Sequence, residues 1–472
     1  MNSDLDKVKA EIHQLMERAR AAQTVINAYD QSHVDEVVTA LGWAIINEAN
    51  NQKLSEQAVR DTGLGKVQDK IIKNRRKTLG LLRDLKNAPS VGVIAEFPEL
   101  GLVEIAKPVG VVAAIVPSTN PAATPTNKTI NAIKCRNAII LAPSPKGQDT
   151  CQTLINMMHA ELDRIGAPRD LVQKLPSPVN KAHTQELMRQ ADLVVATGSQ
   201  NNVRAAYTCG TPAVGVGAGN VVSIVDSSAD PVAAAQRIVQ SKTFDNATSC
   251  SSENSLVVID SIYDNLMEQL LEQGAVMLDN AEKSKLQASL WSDGHLNHHL
   301  IAKEAAIIAE AIGLSAQRFS AARVLMVPET GYGPEFPFSG EKLCPVLTVY
   351  RARDFDHAKI IATGVMDFQG KGHSLSIHTH SDTNIMDLGL NMPACRIIVN
   401  QAHCFATGGS FDNGLPFSLS MGCGTWGKNS ISDNMNYRHY MNTTRISRSI
   451  PVNEPTLDEI FSRYWNKTGQ KP

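Results

Sequence analysis

The chain opens on helical periodicity. From residue 5 to about residue 85, apolar positions recur three and four apart among Ala, Leu, Glu and Lys with few breakers, which predicts a helical lead-in. Between residues 91 and 116 the pattern changes to VGVIAEF, LVEIAKP and GVVAAIV, short β-type runs separated by Gly and Pro. Amphipathic and apolar runs then alternate. Helices are predicted over 125–134, 149–165 and 182–189, with strands over 138–142, near Leu171 and over 193–197. VVSIVD after Asn220 reads as a further strand, and 230–243 as a helix. Such alternation implies βαβ crossovers and a largely parallel sheet. A second α/β region begins at the loop around residue 250 and runs to about residue 430. Beyond it, NYRHYMNTTRIS reads as an extended segment. Because the second core is complete before it, pairing with a partner subunit is preferred to a strand closing its own domain.

These patterns divide the chain into a helical lead-in and nucleotide-binding region over 1–225, a second α/β region over 226–430 and a C-terminal oligomerisation segment and tail over 431–472. Residues 91–110 are a candidate part of the oligomerisation element. The 472 residues suffice for two large cores. Hydrophobic residues at 43% and charged residues at 19% are a globular balance, and 31 Gly with 22 Pro suit many short turns. A formal net charge of −2 gives no global field for nucleic acid or an anionic membrane. No apolar stretch approaches the roughly 18 residues of a membrane span, and the N-terminus lacks an apolar signal core. The eight Cys have no zinc-knuckle or disulfide spacing, which suits a reducing compartment, with the cytoplasm as the default. No metal site is expected.

Several residues could carry chemistry. Cys250, in TFDNATSCSSENSLVV, lies between a predicted helix and a β run, and its small polar neighbours give a nucleophile access. A structural thiol is the alternative. Asn120, in PSTNP, follows a strand and precedes a helix, where its amide could donate to an oxyanion or cap the helix. APSPKG places Lys146 beside a helix start, suited to a ribose hydroxyl or a phosphate, or simply to solvent. ATGSQNNVRAA and GVGAGN supply close-approach glycines, though GVGAGN is not the usual dinucleotide fingerprint. GEKLCPVL places Glu341 before a β run, where a carboxylate can accept ribose hydroxyls. The Gly/Ser-rich 406–430 could wall a substrate tunnel or form a cluster of rigid turns.

With PSTNP, CSSE at 250–253, GEKLCPVL, GGSF and GCGTWGKNS in this order over about residues 10–450, the chain resembles the CoA-acylating branch of the aldehyde dehydrogenase superfamily. Within it, the resemblance is to succinate-semialdehyde and sulfoacetaldehyde dehydrogenases, to microcompartment propionaldehyde and acetaldehyde dehydrogenases, and to the aldehyde domain of bifunctional alcohol/aldehyde dehydrogenases. The resemblance implies a Rossmann-type cofactor domain, an α/β catalytic domain and a small oligomerisation element in a homodimer or homotetramer. It makes Cys250 the nucleophile and Asn120 an oxyanion donor beside the Cys250 N–H. It puts Pro143, Ser144 and Lys146 at the adenosine ribose, Gly198 and Ser199 under the pyrophosphate, and Glu341 at the nicotinamide-side ribose. It sets Gly215 where hydrolysing relatives carry a water-activating Glu. The implied reaction oxidises a short aldehyde with NAD or NADP through a Cys thioester, which coenzyme A then cleaves. Succinate semialdehyde and sulfoacetaldehyde are the implied substrates. His373 is a candidate for settling CoA or moving a proton, and Arg204 and Arg445 are candidates for anion contacts. A hydrolysing aldehyde dehydrogenase and a catalytically silent nucleotide-binding scaffold are the alternatives.

Overall fold

The structure is a computed structural model that describes residues 2–217, 219–292 and 294–470, with the side chains of residues 2–4 and Ala218 of GVGAGN outside the described residues. The lead-in is helical, as expected, in four helices: α1 (Asn2–Asn27), α2 (Gln31–Ile46), α3 (Glu48–Thr62) and α4 (Val67–Leu85). Its breaks are chemical. Asp30 and Asn47 cap α2 and α3 by accepting from backbone N–H groups, and Gly63 ends α3 in the left-handed conformation.

Strands β1 (Gly92–Phe97) and β2 (Leu102–Pro108) form a hairpin. Next come β3 (Val111–Val116), α5 (Ala123–Lys134), β4 (Ala138–Pro143), α6 (Gln148–Arg164), β5 (Val172–Lys174), α7 (Lys181–Gln190), β6 (Leu193–Thr197), α8 (Gln200–Tyr207) and β7 (Ala213–Val216). The five strands from β3 onward form a parallel sheet in the order β5-β4-β3-β6-β7. Strand order reverses between β3 and β6, the switch point at which an open α/β sheet leaves a crevice at its carboxyl edge. β3 is buried on both faces. Val112, Ala114 and Val116 enter a core shared with α2 and α6, while Val111, Ala113 and Ile115 enter one shared with α1 and α7.

The second sheet is built from β8 (Val221–Val225), β9 (Glu253–Ile259), β10 (Ala275–Met277), β13 (Val324–Pro328), β14 (Val346–Ala352), β15 (Leu375–His378) and β16 (Ile397–Val399); β11 (Trp291–Ser292) and β12 (His295–Leu296) make a separate ribbon. Its order is β10-β13-β14-β9-β8-β15-β16, again parallel throughout. Helix α9 (Pro231–Thr243) leads from β8 to the Cys250 loop.

The segment NYRHYMNTTRIS carries the expected extended stretch as strand β17 (Met441–Ser447), the edge strand of a three-stranded sheet in the order β1-β2-β17. It pairs antiparallel with β2 of its own chain, with Arg445 opposite Glu104 and bonded to it at 2.8 Å. That opposite-charge cross-strand pair favours the intrachain register. No helix among the described residues is long and apolar enough to cross a membrane.

The carboxyl ends of β3 and β6 are tied together by Lys128 of α5, fully buried, whose Nζ donates to Ile115 O at 2.7 Å and Val195 O at 3.0 Å. Lys128→Met keeps the volume but leaves both carbonyls without this donor, at roughly 1–3 kcal/mol for each. Thermal melting should show a clear loss of stability; an unchanged melting temperature would deny the tie this role.

Candidate active site

The loop leaving β3 carries Asn120. Its side chain does not cap the helix: α5 starts at Ala123 after Ala122, without a side-chain cap. Instead Asn120 Oδ1 accepts from Lys73 Nζ of α4 at 2.8 Å. Lys73 also donates to Asp245 Oδ2 at 2.5 Å. Asp245 is fully buried and also accepts from Lys66 N at 2.8 Å, Lys70 Nζ at 3.1 Å and Thr248 Oγ1 at 2.8 Å. Burial raises its pKa, but Lys73 and Lys70 outweigh that and hold the carboxyl below its ordinary value.

Asp245, Asn246 and Ala247 occupy the left-handed region in succession, at φ of 50°, 52° and 58°. Each such residue costs about 1 kcal/mol or more. The run turns the chain from α9 into the loop carrying Cys250, just before β9. Cys250 Sγ lies 3.5 Å from His373 Nε2, and His373 Nδ1 lies 2.6 Å from Ser374 Oγ. With Nδ1–H donating to Ser374, Nε2 presents its lone pair to the thiol. Burial pushes the Cys250 thiol up to about 12, with Glu341 and Cys423 adding to the rise and Arg396 opposing it. Burial, then Arg396 and His403, hold His373 well below the usual imidazole value, so the resting pair is neutral. Arg396 reaches His373 O at 2.8 Å and Gly422 O at 2.5 Å, which fixes the backbone behind the imidazole.

Glycine matters once in this contact. A Cβ on Gly219 would sit 2.2 Å from Cys250 O and 3.2 Å from His373 Cδ2. Gly215 behaves differently: a Cβ there would meet Val203 and Tyr207, so a carboxylate at this position would be aimed at α8 rather than at Cys250. The glycine packed against the Cys250 backbone and the His373 ring is therefore Gly219. Of two other acids near the loop, Glu253 accepts from Ser241 Oγ at 2.5 Å, and burial raises it to about 7. Glu341 is raised to about 8, also by burial.

A nicotinamide cofactor fits the crevice at the switch point. Pro143 ends β4, Ser144 is half-buried after it, and Lys146 is exposed in the following turn. Gly198, at φ 149°, has nothing nearer its missing Cβ than Asn202 Nδ2 at 3.7 Å and Pro117 Cβ at 3.8 Å, a cradle that any side chain would fill. Ser199 caps α8, whose first N–H groups suit a pyrophosphate. Two expected anion contacts are not brought to Cys250: Arg204 is exposed in the last turn of α8, and Arg445 is spent on Glu104 in the β2–β17 pair.

A small pocket opens beside Asn120, walled by Ser249 and Ser251 on either side of Cys250 and by Phe244, Cys404, Phe405 and Met421. Lys73, Arg76 and Lys77 of α4 also line it. Sequence reasoning missed these three because they sat within an ordinary helical lead-in. Their signal was present: in DKIIKNRRK, Lys70, Lys73 and Lys77 recur at the spacing of the buried face, with Asn74 and Thr78 buried beside them.

The aldehyde dehydrogenase family model matches residues 5–321. The chain belongs to that family. It lies in the CoA-acylating branch and is an NAD(P)-dependent enzyme acting on a short aldehyde through a Cys thioester. It is 57% identical to a sulfoacetaldehyde dehydrogenase (acylating) of Cupriavidus necator over 96% of this chain and 92% of that protein. It is 39% identical to a succinate-semialdehyde dehydrogenase (acetylating) of Clostridium kluyveri over 95% of this chain and 98% of that one. The crystal structure of an acetylating aldehyde dehydrogenase from Geobacillus thermoglucosidasius superimposes with a TM-score of 0.91 at 36% identity, covering 96% of this chain and 99% of that one.

With its pKa near 12, the resting Cys250 thiol of this aldehyde dehydrogenase is protonated at neutral pH. Iodoacetamide labelling of the free enzyme, read on the Cys250 peptide by mass spectrometry, should be slow at pH 7 and still rising above pH 9. A labelling midpoint near pH 7 would contradict this electrostatic account.

Proposed function

We propose that the protein converts a short aldehyde bearing a terminal anion, sulfoacetaldehyde before succinate semialdehyde, to its acyl-CoA at Cys250, reversibly. The observation that carries the anionic part is a pair of cations without an acid. Among the described residues, Arg76 donates to Ser410 Oγ at 3.2 Å and lies over the Phe405 and Phe411 rings. Lys77 donates to Gly408 O at 2.7 Å and Gly409 O at 3.3 Å. Neither forms a salt bridge, whereas Lys70 and Lys73 share Asp245. A sulfonate or carboxylate entering the pocket supplies the missing countercharge in a site of low polarity, where it counts most. The similarity to the Cupriavidus necator sulfoacetaldehyde dehydrogenase supports the same choice.

In the proposed chemistry, His373 Nε2 takes the thiol proton as Cys250 Sγ bonds to the carbonyl carbon. Asn120 Nδ2–H and the Cys250 N–H hold the oxyanion. A nicotinamide cofactor, when bound against Ser144, Lys146, Gly198, Ser199 and Glu341, supplies the hydride acceptor that turns this adduct into a thioester. His373 gives the Cys250 proton to water before CoA enters, then accepts the CoA thiol proton as the CoA sulfur attacks and returns it to the departing Cys250 sulfur. No acid in APSPKG repels a 2′-phosphate, so either NAD or NADP suits this crevice. The exposed Val93, Phe97 and Ile446 on the β1-β2-β17 sheet support a homodimer or homotetramer, and eight free cysteines support a cytoplasmic setting.

Two measurements test this function. With CoA, mass spectrometry should find acyl-CoA as the dominant product, and without CoA reduced cofactor should stop after roughly one equivalent per site; sustained free-acid turnover would favour the hydrolysing class. Arg76→Gln should lower kcat/KM for sulfoacetaldehyde by roughly 10- to 100-fold, the worth of a charge-assisted contact, and leave propionaldehyde nearly unaffected.

Lys77 adds a pH signature, because burial, and then Arg76, bring it down to about 7. Below that pH it is an ammonium that attracts the anion. Above it the charge is lost, so KM for sulfoacetaldehyde should rise with pH while KM for propionaldehyde stays flat. Parallel profiles for the two aldehydes would remove Lys77 from recognition.

A further inference from the structure

We infer that Lys73 is a positioning residue: its ammonium fixes the Asn120 carboxamide with Nδ2 toward the reacting carbonyl oxygen, and Asp245 fixes Lys73. The inference rests on the proposed role of Asn120 as an oxyanion donor. An amide side chain is nearly symmetrical in shape, and turning it over would present Oδ1, a lone-pair acceptor, to a developing negative charge. The molecule needs a reason for one orientation, and an ammonium provides it. Lys carries donors only, so the Asn120 atom 2.8 Å from Lys73 Nζ is the oxygen and Nδ2 is turned away from α4. Nδ2 itself is held by little else, its contact with Thr119 Oγ1 being 3.5 Å. A positive charge on Oδ1 also polarises the amide and strengthens its N–H groups as donors.

Lys73 is in turn fully occupied. Its three hydrogens meet Asn120 Oδ1, Asp245 Oδ2 and, at 3.5 Å, Thr248 Oγ1. This sets it apart from Arg76 and Lys77, which lack an acid, and assigns it to Asn120 rather than to the substrate's anion. Asp245 is buried at the start of the left-handed turn that leads to Cys250. One carboxylate therefore registers the oxyanion donor and the nucleophile's loop against the same lysine. Space for it is reserved by Gly65, where a Cβ would fall 1.9 Å from Asp245 Oδ1.

The test is a double-mutant cycle in the full-length enzyme with Lys73→Met, Asn120→Ala and the pair, read as single-turnover formation of reduced cofactor with propionaldehyde and with sulfoacetaldehyde. Lys73→Met should slow turnover of both aldehydes by roughly 10- to 100-fold, within the loss expected for a missing oxyanion donor, with KM for the cofactor unchanged. In the Asn120→Ala background the same substitution should cost under about 3-fold, because its effect runs through the residue already removed. Equal losses in both backgrounds, or a loss confined to KM for the anionic aldehyde, would overturn the inference. If Lys73→Met fails to fold, Lys73→Arg keeps a charge on Asp245 while moving the donor off Asn120, and the same cycle applies. A wild-type product of free acid would sink the acylating function, yet the coupling between Lys73 and Asn120 would still be read in the reduced cofactor.

Discussion

The structure turns on one buried carboxylate. Taking the Asp245 side chain out of water costs several kcal/mol unless it is paired and hydrogen-bonded, and here two ammonium groups, a backbone N–H and a hydroxyl answer it. Its backbone N–H and ammonium partners come from α4 and the turn preceding it, while Asp245 itself belongs to the second α/β region. Satisfying the charge therefore docks the helical lead-in onto the catalytic loop. The same bonds hold the three left-handed residues that bend the chain toward Cys250, so local strain is offset by a long-range contact.

Around that anchor the site is arranged as neutral pairs beside uncompensated cations. Burial disfavours charge on Cys250 and on His373 alike, so thiol and imidazole face each other uncharged until a carbonyl gives the thiolate something to attack. Arg396, held by backbone carbonyls, favours the thiolate and disfavours the imidazolium. On the pocket side, no acid among the described residues pairs with Arg76 or Lys77, which leaves their charge for the proposed substrate anion. Chemistry and recognition thus draw on the same low dielectric, which raises the cost of unpaired charge and the worth of paired charge together.

Much was legible in the residues alone. Alternating apolar and amphipathic runs marked the parallel strands and crossover helices, because period and turn chemistry are local properties. Cys250 and Asn120 were legible only as candidates, each with a structural alternative, and it was the family resemblance that implied the roles of nucleophile and oxyanion donor. Their side-chain orientation was not legible. Whether Asn120 caps a helix or donates to substrate depends on Lys73, 47 residues earlier in the chain.

The sequence by itself determined the succession of elements and marked Cys250 and the glycine-bearing turns as candidates, because each is written in a short contiguous stretch. The tertiary structure decided what those stretches meet. It put His373 rather than a local base beside the thiol, turned Gly215 toward α8 and Gly219 toward Cys250, and paired Arg445 with Glu104 instead of a ligand. It also made α4 a wall of the pocket. The physical reason is the same in each case: the energy of a buried charge or a hydrogen bond depends on partners far away in sequence, and only folding brings those partners within a few ångströms.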